Sequence, residues 1–74
     1  MPRFRDLLSY CRKTGWEEYR CHADHYYFRK VRNDGSVLLT KVSHALSKEI
    51  PGHLFQEILR HQLKTTKEEF NKNC

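Results

Sequence analysis

The fold of this chain is decided by residues 26–42, which read YYFRKVRNDGSVLLTKV. Aromatic and aliphatic side chains dominate both ends of this stretch, and large side chains of this kind are enriched in β-strands. Asparagine, aspartate and glycine at positions 33–35 separate the two ends, and these residues tolerate the positive φ that a tight turn requires. The stretch therefore predicts a β-hairpin centred on Asp34 and Gly35.

A helix and a further strand are expected before the hairpin. Phe4, Leu7, Leu8 and Cys11 recur at helical spacing and predict a helix over residues 2–14. Gly15 is expected to end this helix in a left-handed conformation. The mixed bulky residues of 16–21 then predict a short first strand.

A second helix is expected after the hairpin, starting at Pro51 and following a loop over residues 43–49. Its predicted inward face comprises Leu54, Phe55, Ile58, Leu59 and Gln62. Thr66 and Glu69 match a capping box, which predicts a short C-terminal helix with Phe70 packing inward. The whole chain, residues 1–74, is thus expected to be one α+β domain of order α-β-β-β-α. Its antiparallel sheet of three strands would carry the helices on one face, as in double-stranded RNA-binding domains.

Composition narrows the class of partner. Lys and Arg total 14 against 9 Asp and Glu, which gives a net charge of +5. This excess of positive charge favours a polyanionic partner, nucleic acid first. The alternative is that the charge serves solubility alone. The three cysteines are an odd number and widely spaced, unlike a disulfide framework.

No apolar run approaches the ~20 residues of a membrane span, and the first residues do not resemble a secretory signal. We expect a cytoplasmic protein too small for an enclosed cofactor pocket, and hence without a cofactor.

His25 is the candidate for chemistry. RNA carries its own nucleophile, the 2′-hydroxyl, so cleavage needs little beyond a proton acceptor, a proton donor and positive charge near the phosphate. If Tyr26 and Phe28 point towards the helices, strand alternation places His25, Tyr27 and Arg29 together on the opposite face. The alternative is that His25 merely ends a strand.

A metal site is not expected, although Cys21, His22, Asp24 and His25 are all ligand types. Neighbouring residues on a strand point to opposite faces, and no second ligand pair occurs at standard spacing. Nor does any pattern in the sequence specify a thiolate held against a histidine for nucleophilic catalysis.

Three further stretches are distinctive: residues 15–17 read GWE, residues 23–26 read ADHY and residues 48–54 read KEIPGHL. Together they resemble the HicA-type toxins, also called the YcfA-like family. That family has a Gly-Ser-His-His-like sequence at the second stretch, with its first histidine catalytic, and Lys-x-Ile-Pro-x-Gly-Thr-Leu at the third. The resemblance spans residues 6–70 and implies a double-stranded RNA-binding-domain fold, ribosome-independent mRNA cleavage and a HicB-type antitoxin partner. It places the catalytic position at His25.

The chain departs from the family pattern at two places. Asp24 stands where the family has serine, and a carboxylate close to the imidazole of His25 would favour its protonated form. Near the second helix, Gly52 is displaced by one position and His53 replaces threonine, which bears on helix capping rather than on chemistry.

The expected RNA contacts are inferred from position and charge alone: Tyr27, Arg29, Lys41 and Lys48. Tyr27 would stack on a base, or else simply pack across the sheet. We therefore expect a metal-independent endoribonuclease, the toxin of a type II toxin–antitoxin system. The alternative is a non-cleaving module that binds RNA or the antitoxin. DNA is disfavoured as a partner because no helix shows a recognition pattern.

Overall fold

The elements follow the predicted order. A computed structural model describes residues 2–74, so that Met1 of the predicted domain lies outside the described residues. The elements are α1 (Phe4–Lys13), β1 (Glu17–His22), β2 (His25–Val31), β3 (Val37–Ser43), α2 (Gly52–Glu57) and α3 (Lys67–Asn73). The strands form one antiparallel sheet in the order β1-β2-β3, which confirms the α+β architecture. Within residues 2–74, no helix has the length and apolar character needed to cross a bilayer.

The hairpin of β2 and β3 is the predicted one. The two strands pair over their whole lengths, and the turn between them contains Gly35 at a φ of +89°. The backbone N–H and the hydroxyl of Ser36 both donate to Oδ1 of Asp34, at 2.9 and 2.6 Å. These hydrogen bonds hold the pKa of the Asp34 carboxyl below its ordinary value. Local turn chemistry therefore sets the register of the sheet.

Helix α1 is closed at both ends by short-range hydrogen bonds. At its start, the backbone N–H of Arg3 donates to Oδ2 of Asp6 at 2.8 Å. At its end, Gly15 adopts a φ of +84°, as expected for a left-handed stop. The chain then turns back, and the N–H of the buried Trp16 donates to the carbonyl of Cys11 at 3.1 Å.

The inward face of the second helix differs in part from the prediction. Three of the predicted residues are buried: Phe55, Ile58 and Leu59. Leu54 was predicted to be inward but is 36% exposed. After α2 the helix continues as a π-helical segment, Ile58–Leu63, and this wider turn brings Leu63 inward five residues after Ile58. Gln62 is half-buried, and its Oε1 accepts a hydrogen bond from the hydroxyl of Thr40 at 2.7 Å.

Helix α3 completes the core. The hydroxyl oxygen of Thr66 accepts from the N–H of Glu69 at 3.2 Å, which confirms the predicted cap. Phe70 is fully buried, as predicted, and its ring lies 5.1 Å from the ring of Tyr10 and 5.1 Å from that of Phe55. The last helix therefore packs between the first two, all on one side of the sheet.

Candidate nucleic-acid interface

The sheet has one face covered by helices and one open face. Directly paired residues of antiparallel strands lie on the same face. Tyr26 and Phe28 pair with Val42 and Thr40, and this set packs towards the helices. The opposite set, which we call the open face, comprises His25, Tyr27, Arg29 and Val31 of β2 with Ser43, Lys41, Leu39 and Val37 of β3. The alternation expected for β2 is therefore observed.

A β-bulge adds two neighbouring residues of β1 to the open face. The register of β1 against β2 shifts between Glu18 and Arg20, so that Tyr19 is the extra residue. In a regular strand, Tyr19 and Arg20 would point to opposite faces. Here the Tyr19 ring lies 6.4 Å from the Tyr27 ring, and the Arg20 guanidinium lies 5.8 Å from the centre of the same Tyr27 ring. Neither residue could be assigned to this face from the sequence, because nothing in this mixed strand indicates a bulge.

His25 opens β2 in a half-buried position. Its ring lies 6.3 Å from the Tyr27 ring. It lines a depression of about 120 Å³ together with Lys41 and Ser43 of β3. The other walls of this depression are Phe4, Leu54, Ile58 and Gln62. His25 therefore shares this depression with a lysine, a serine and a mainly apolar set of helix residues.

The depression of His25 thus lies where the open face meets the helices, and a second depression lies beside it on the open face. It has a volume of about 340 Å³ and is lined by Tyr19, Tyr27, Leu39 and Lys41, with Thr40 and Gln62 at the sheet edge. Lys41 lines both depressions and so connects the histidine with the two tyrosines. A larger groove of about 510 Å³ lies between α1, α2 and α3, and it shares no lining residue with either depression.

The predicted cationic contacts differ in their surroundings. Nε of Arg29 lies 2.6 Å from Oε1 of Glu17, so its charge already has a partner. The guanidinium carbon of Arg29 lies 5.4 Å from the centre of the Tyr19 ring. Lys48 is exposed in the loop after β3, where its carbonyl accepts from the N–H of Phe4 at 3.0 Å, and it is not among the described residues that line the two depressions. The structure thus brings together His25, Tyr27, Arg29 and Lys41, but not Lys48.

Asp24, which stands before His25 where HicA-type toxins have serine, is exposed in the tight connection between β1 and β2. Its carbonyl accepts from the N–H of His44 at 2.8 Å. Among the described residues, the carboxylate–histidine pair found within 4.0 Å is Glu57 with His61 rather than Asp24 with His25.

One pair of side chains on the covered side was not expected from the sequence. Sγ of Cys21 and Nε2 of His44 lie 3.6 Å apart, although the residues are 23 positions apart in the chain. The ring of His44 in turn lies 4.2 Å from that of Tyr26, which pairs with Cys21 across the strands. Within residues 2–74, no three side chains of the metal-binding types come together as a possible site.

Comparison with protein-family models finds no match for this chain, and comparisons with curated proteins and with solved structures find none either. The resemblance to HicA-type toxins therefore stays a prediction that depends on the three stretches of sequence that carry it.

Proposed function

We propose that this protein is a metal-independent endoribonuclease that cleaves mRNA, acting in the cytoplasm as the toxin of a type II toxin–antitoxin system. The observation that carries the proposal is the position of His25 on the open face, 6.3 Å from the Tyr27 ring and beside Lys41. A group that accepts and donates a proton and a cation near the phosphate are what RNA cleavage needs from a protein, and the Tyr27 ring adds a surface for a base. The α-β-β-β-α order and the HicA-like stretches support the same function.

The chemistry follows from the groups at the site. The imidazole of His25 accepts the proton of a 2′-hydroxyl, whose oxygen attacks the adjacent phosphorus. The bond from phosphorus to the 5′-oxygen breaks, and that oxygen takes up a proton from the imidazolium or from water. The ammonium group of Lys41 stabilises the negative charge that builds up on the phosphate oxygens. The products are one RNA end with a 2′,3′-cyclic phosphate and one with a 5′-hydroxyl.

The proposal is tested by incubating unstructured RNA with the purified protein in the presence of EDTA. We expect cleavage by the wild type and a loss of roughly 10²–10⁴-fold in His25→Ala, the usual contribution of one proton-transferring side chain. His22→Ala is the matched control, because His22 is exposed and lies directly opposite His25 across the strands. Full activity in His25→Ala, with loss in His22→Ala, would show that the catalytic assignment is wrong.

A toxin also needs a protein that restrains it, and a HicB-type antitoxin is the implied partner. The open face carries three exposed aliphatic side chains near the hairpin turn: Val31, Val37 and Leu39, which are 65%, 52% and 55% exposed. Exposed apolar surface of this kind is suited to a protein partner. We expect growth arrest when the wild type is expressed alone, none with His25→Ala, and recovery when the cognate antitoxin is co-expressed.

A non-cleaving RNA-binding module is the second candidate. It is favoured by the small amount of positive charge near His25. Lys41 is the one lysine or arginine among the described residues that line the depression of His25, and the charge of Arg29 on the same face is paired with Glu17. This candidate predicts RNA binding that weakens steeply with salt, without cleavage products from either wild type or His25→Ala.

A further inference from the structure

We infer that the open face binds unpaired nucleotides of single-stranded RNA, with Tyr19 and Tyr27 each stacking on one base. This rests on the proposed function in one respect, that the ligand is RNA. It goes further by specifying the form of the RNA and by assigning base-binding roles to Tyr19, and to Arg20 and Arg29 beside the rings.

The spacing of the rings selects an extended strand. Tyr27 has two ring neighbours: Tyr19, across the strands at 6.4 Å between ring centres, and His25, two residues along β2 at 6.3 Å. Each separation is nearly twice the ~3.4 Å that separates successive nucleotides along one strand of a duplex. Successive bases can therefore reach successive rings only when they are unstacked from each other. In a duplex the faces of the bases are covered by their neighbours, so the same rings would find no surface to stack on.

Each tyrosine has a guanidinium group beside it. The guanidinium carbon of Arg29 lies 5.4 Å from the centre of the Tyr19 ring, and that of Arg20 lies 5.8 Å from the centre of the Tyr27 ring. Bases of single-stranded RNA stack on guanidinium planes as well as on aromatic rings. The ion pair of Arg29 with Glu17, at 2.6 Å, holds that guanidinium in place over Tyr19. The ion pair that weakens Arg29 as a phosphate ligand thus makes it a fixed stacking surface.

Charge and shape favour RNA over a protein at this end of the open face. Arg20, Arg29 and Lys41 are its cations, and Glu17 is the acidic residue paired with one of them. Between the two tyrosines and Lys41 lies the depression of about 340 Å³, next to the one that His25 lines. A nucleotide whose base stacks on Tyr27 therefore has its phosphate near Lys41 and His25. The exposed valines lie at the other end of the same face, beside the hairpin turn.

The experiment measures binding in a chain that carries His25→Ala, so that no RNA is cut. Fluorescence anisotropy compares a short labelled unstructured RNA with a duplex of the same sequence. We expect the single strand to bind at least about tenfold more tightly. Adding Tyr19→Leu or Tyr27→Leu should weaken its binding roughly 5- to 150-fold, the usual effect of losing one stacked base, while Tyr19→Phe should bind like the parent chain.

Charge and stacking are separated by salt. The two tyrosine-to-leucine variants should keep the slope of log affinity against log salt, whereas Lys41→Gln should reduce the magnitude of that slope by about 0.7, the value for one phosphate contact on a single strand. Val37→Thr is the matched control on the open face, away from the rings, and should change neither the affinity for RNA nor the salt slope. Thermal melting of each variant confirms that the fold is retained.

Equal affinity for duplex and single strand would overturn the inference, as would leucine variants that bind like the parent chain. Cleavage by the wild type is measured separately. Absence of cleavage, with tyrosine-dependent binding intact, removes the catalytic function and leaves the binding inference standing. Cleavage by the wild type, with binding that does not depend on the tyrosines, removes the binding inference and leaves the catalytic function standing.

Discussion

Cys11 illustrates how burial decides the chemistry of a single residue. Its side chain is fully buried on the inner stripe of α1. Burial raises the pKa of the Cys11 thiol from 9.0 to about 12, and the nearby charge of Lys30 offsets this only in part. Cys11 therefore stays neutral at physiological pH and behaves as an apolar core residue. Cys21 and Cys74, by contrast, are exposed.

We predict that a thiol reagent at pH 8 modifies Cys21 and Cys74 in the native protein and reaches Cys11 only after denaturation. The physical reason is that the thiolate is the reactive form, and both the raised pKa and the lack of access suppress it at Cys11. Mass spectrometry of peptides from native and denatured samples measures this, with Cys21→Ser as a control for peptide assignment. Rapid modification of Cys11 in the native protein would contradict the prediction.

For individual residues of the sheet, the sequence predicts only the face on which each side chain lies, and only where the strand alternates regularly. Placing His25, Tyr27 and Arg29 on one face required nothing more than a period of two. Tyr19 and Arg20 could not be placed, because the bulge that turns both outward is a property of the pairing between strands. The contact of Cys21 with His44 could not be found either, since it depends on how the loop after β3 returns to the end of β1.

Among the elements, the hairpin was the most predictable because its turn residues dictate their own conformation. The π-helical segment was not, because its wider turn has no clear signature in the residues and becomes visible only in which side chains it buries. Leu63 illustrates the result: it is absent from the predicted inward face, yet the wider turn buries it five residues after Ile58.

For the hairpin we predict that Gly35→Ala lowers the free energy of unfolding by roughly 1–2 kcal/mol, the cost of a left-handed conformation for a residue with a Cβ. An added Cβ at Gly35 would meet no atom within 4 Å, so the effect comes from the φ of +89° and not from a clash. Chemical denaturation followed by circular dichroism gives the value.

The matched control for this change is Gly52→Ala. An added Cβ there also meets no atom within 4 Å, but Gly52 opens α2 without a positive φ. Alanine at a compatible position restricts the unfolded chain, and we expect Gly52→Ala to be neutral or stabilising by up to about 1 kcal/mol. Equal destabilisation by both substitutions would show that the turn does not depend on the left-handed conformation of Gly35.

For the whole molecule, stability depends on a small core that its last helix completes. The fully buried side chains come from all parts of the chain: Leu7, Cys11, Phe28, Val42, Ile50 and Phe70. A domain of this size buries only about 60% of the surface that its unfolded chain exposes, so each of these residues contributes a large share of the total. The final segment is therefore an integral part of the domain.

We predict that Phe70→Ala lowers the free energy of unfolding by about 3–5 kcal/mol, which is comparable with the whole stability of a small domain. The cause is the loss of two ring contacts, to Tyr10 and Phe55, at a fully buried position. Thermal melting by circular dichroism measures the loss. Asn71→Ala, an exposed change in the same helix, is the control and should melt like the wild type. A cooperative transition at the wild-type temperature in Phe70→Ala would disprove the role assigned to α3.

The contacts of Phe70 with Tyr10 and Phe55 also determine when the core can close during synthesis of the chain. A ribosome holds the most recently added residues in its exit tunnel, so the contact of Phe70 with Tyr10 cannot form until residue 70 has left that tunnel. A transcript that is cut upstream of the Phe70 codon encodes a chain that cannot close its core. Under the proposed function, a cut at such a place in the protein's own transcript would yield only chains that do not fold, and production of the protein would limit itself.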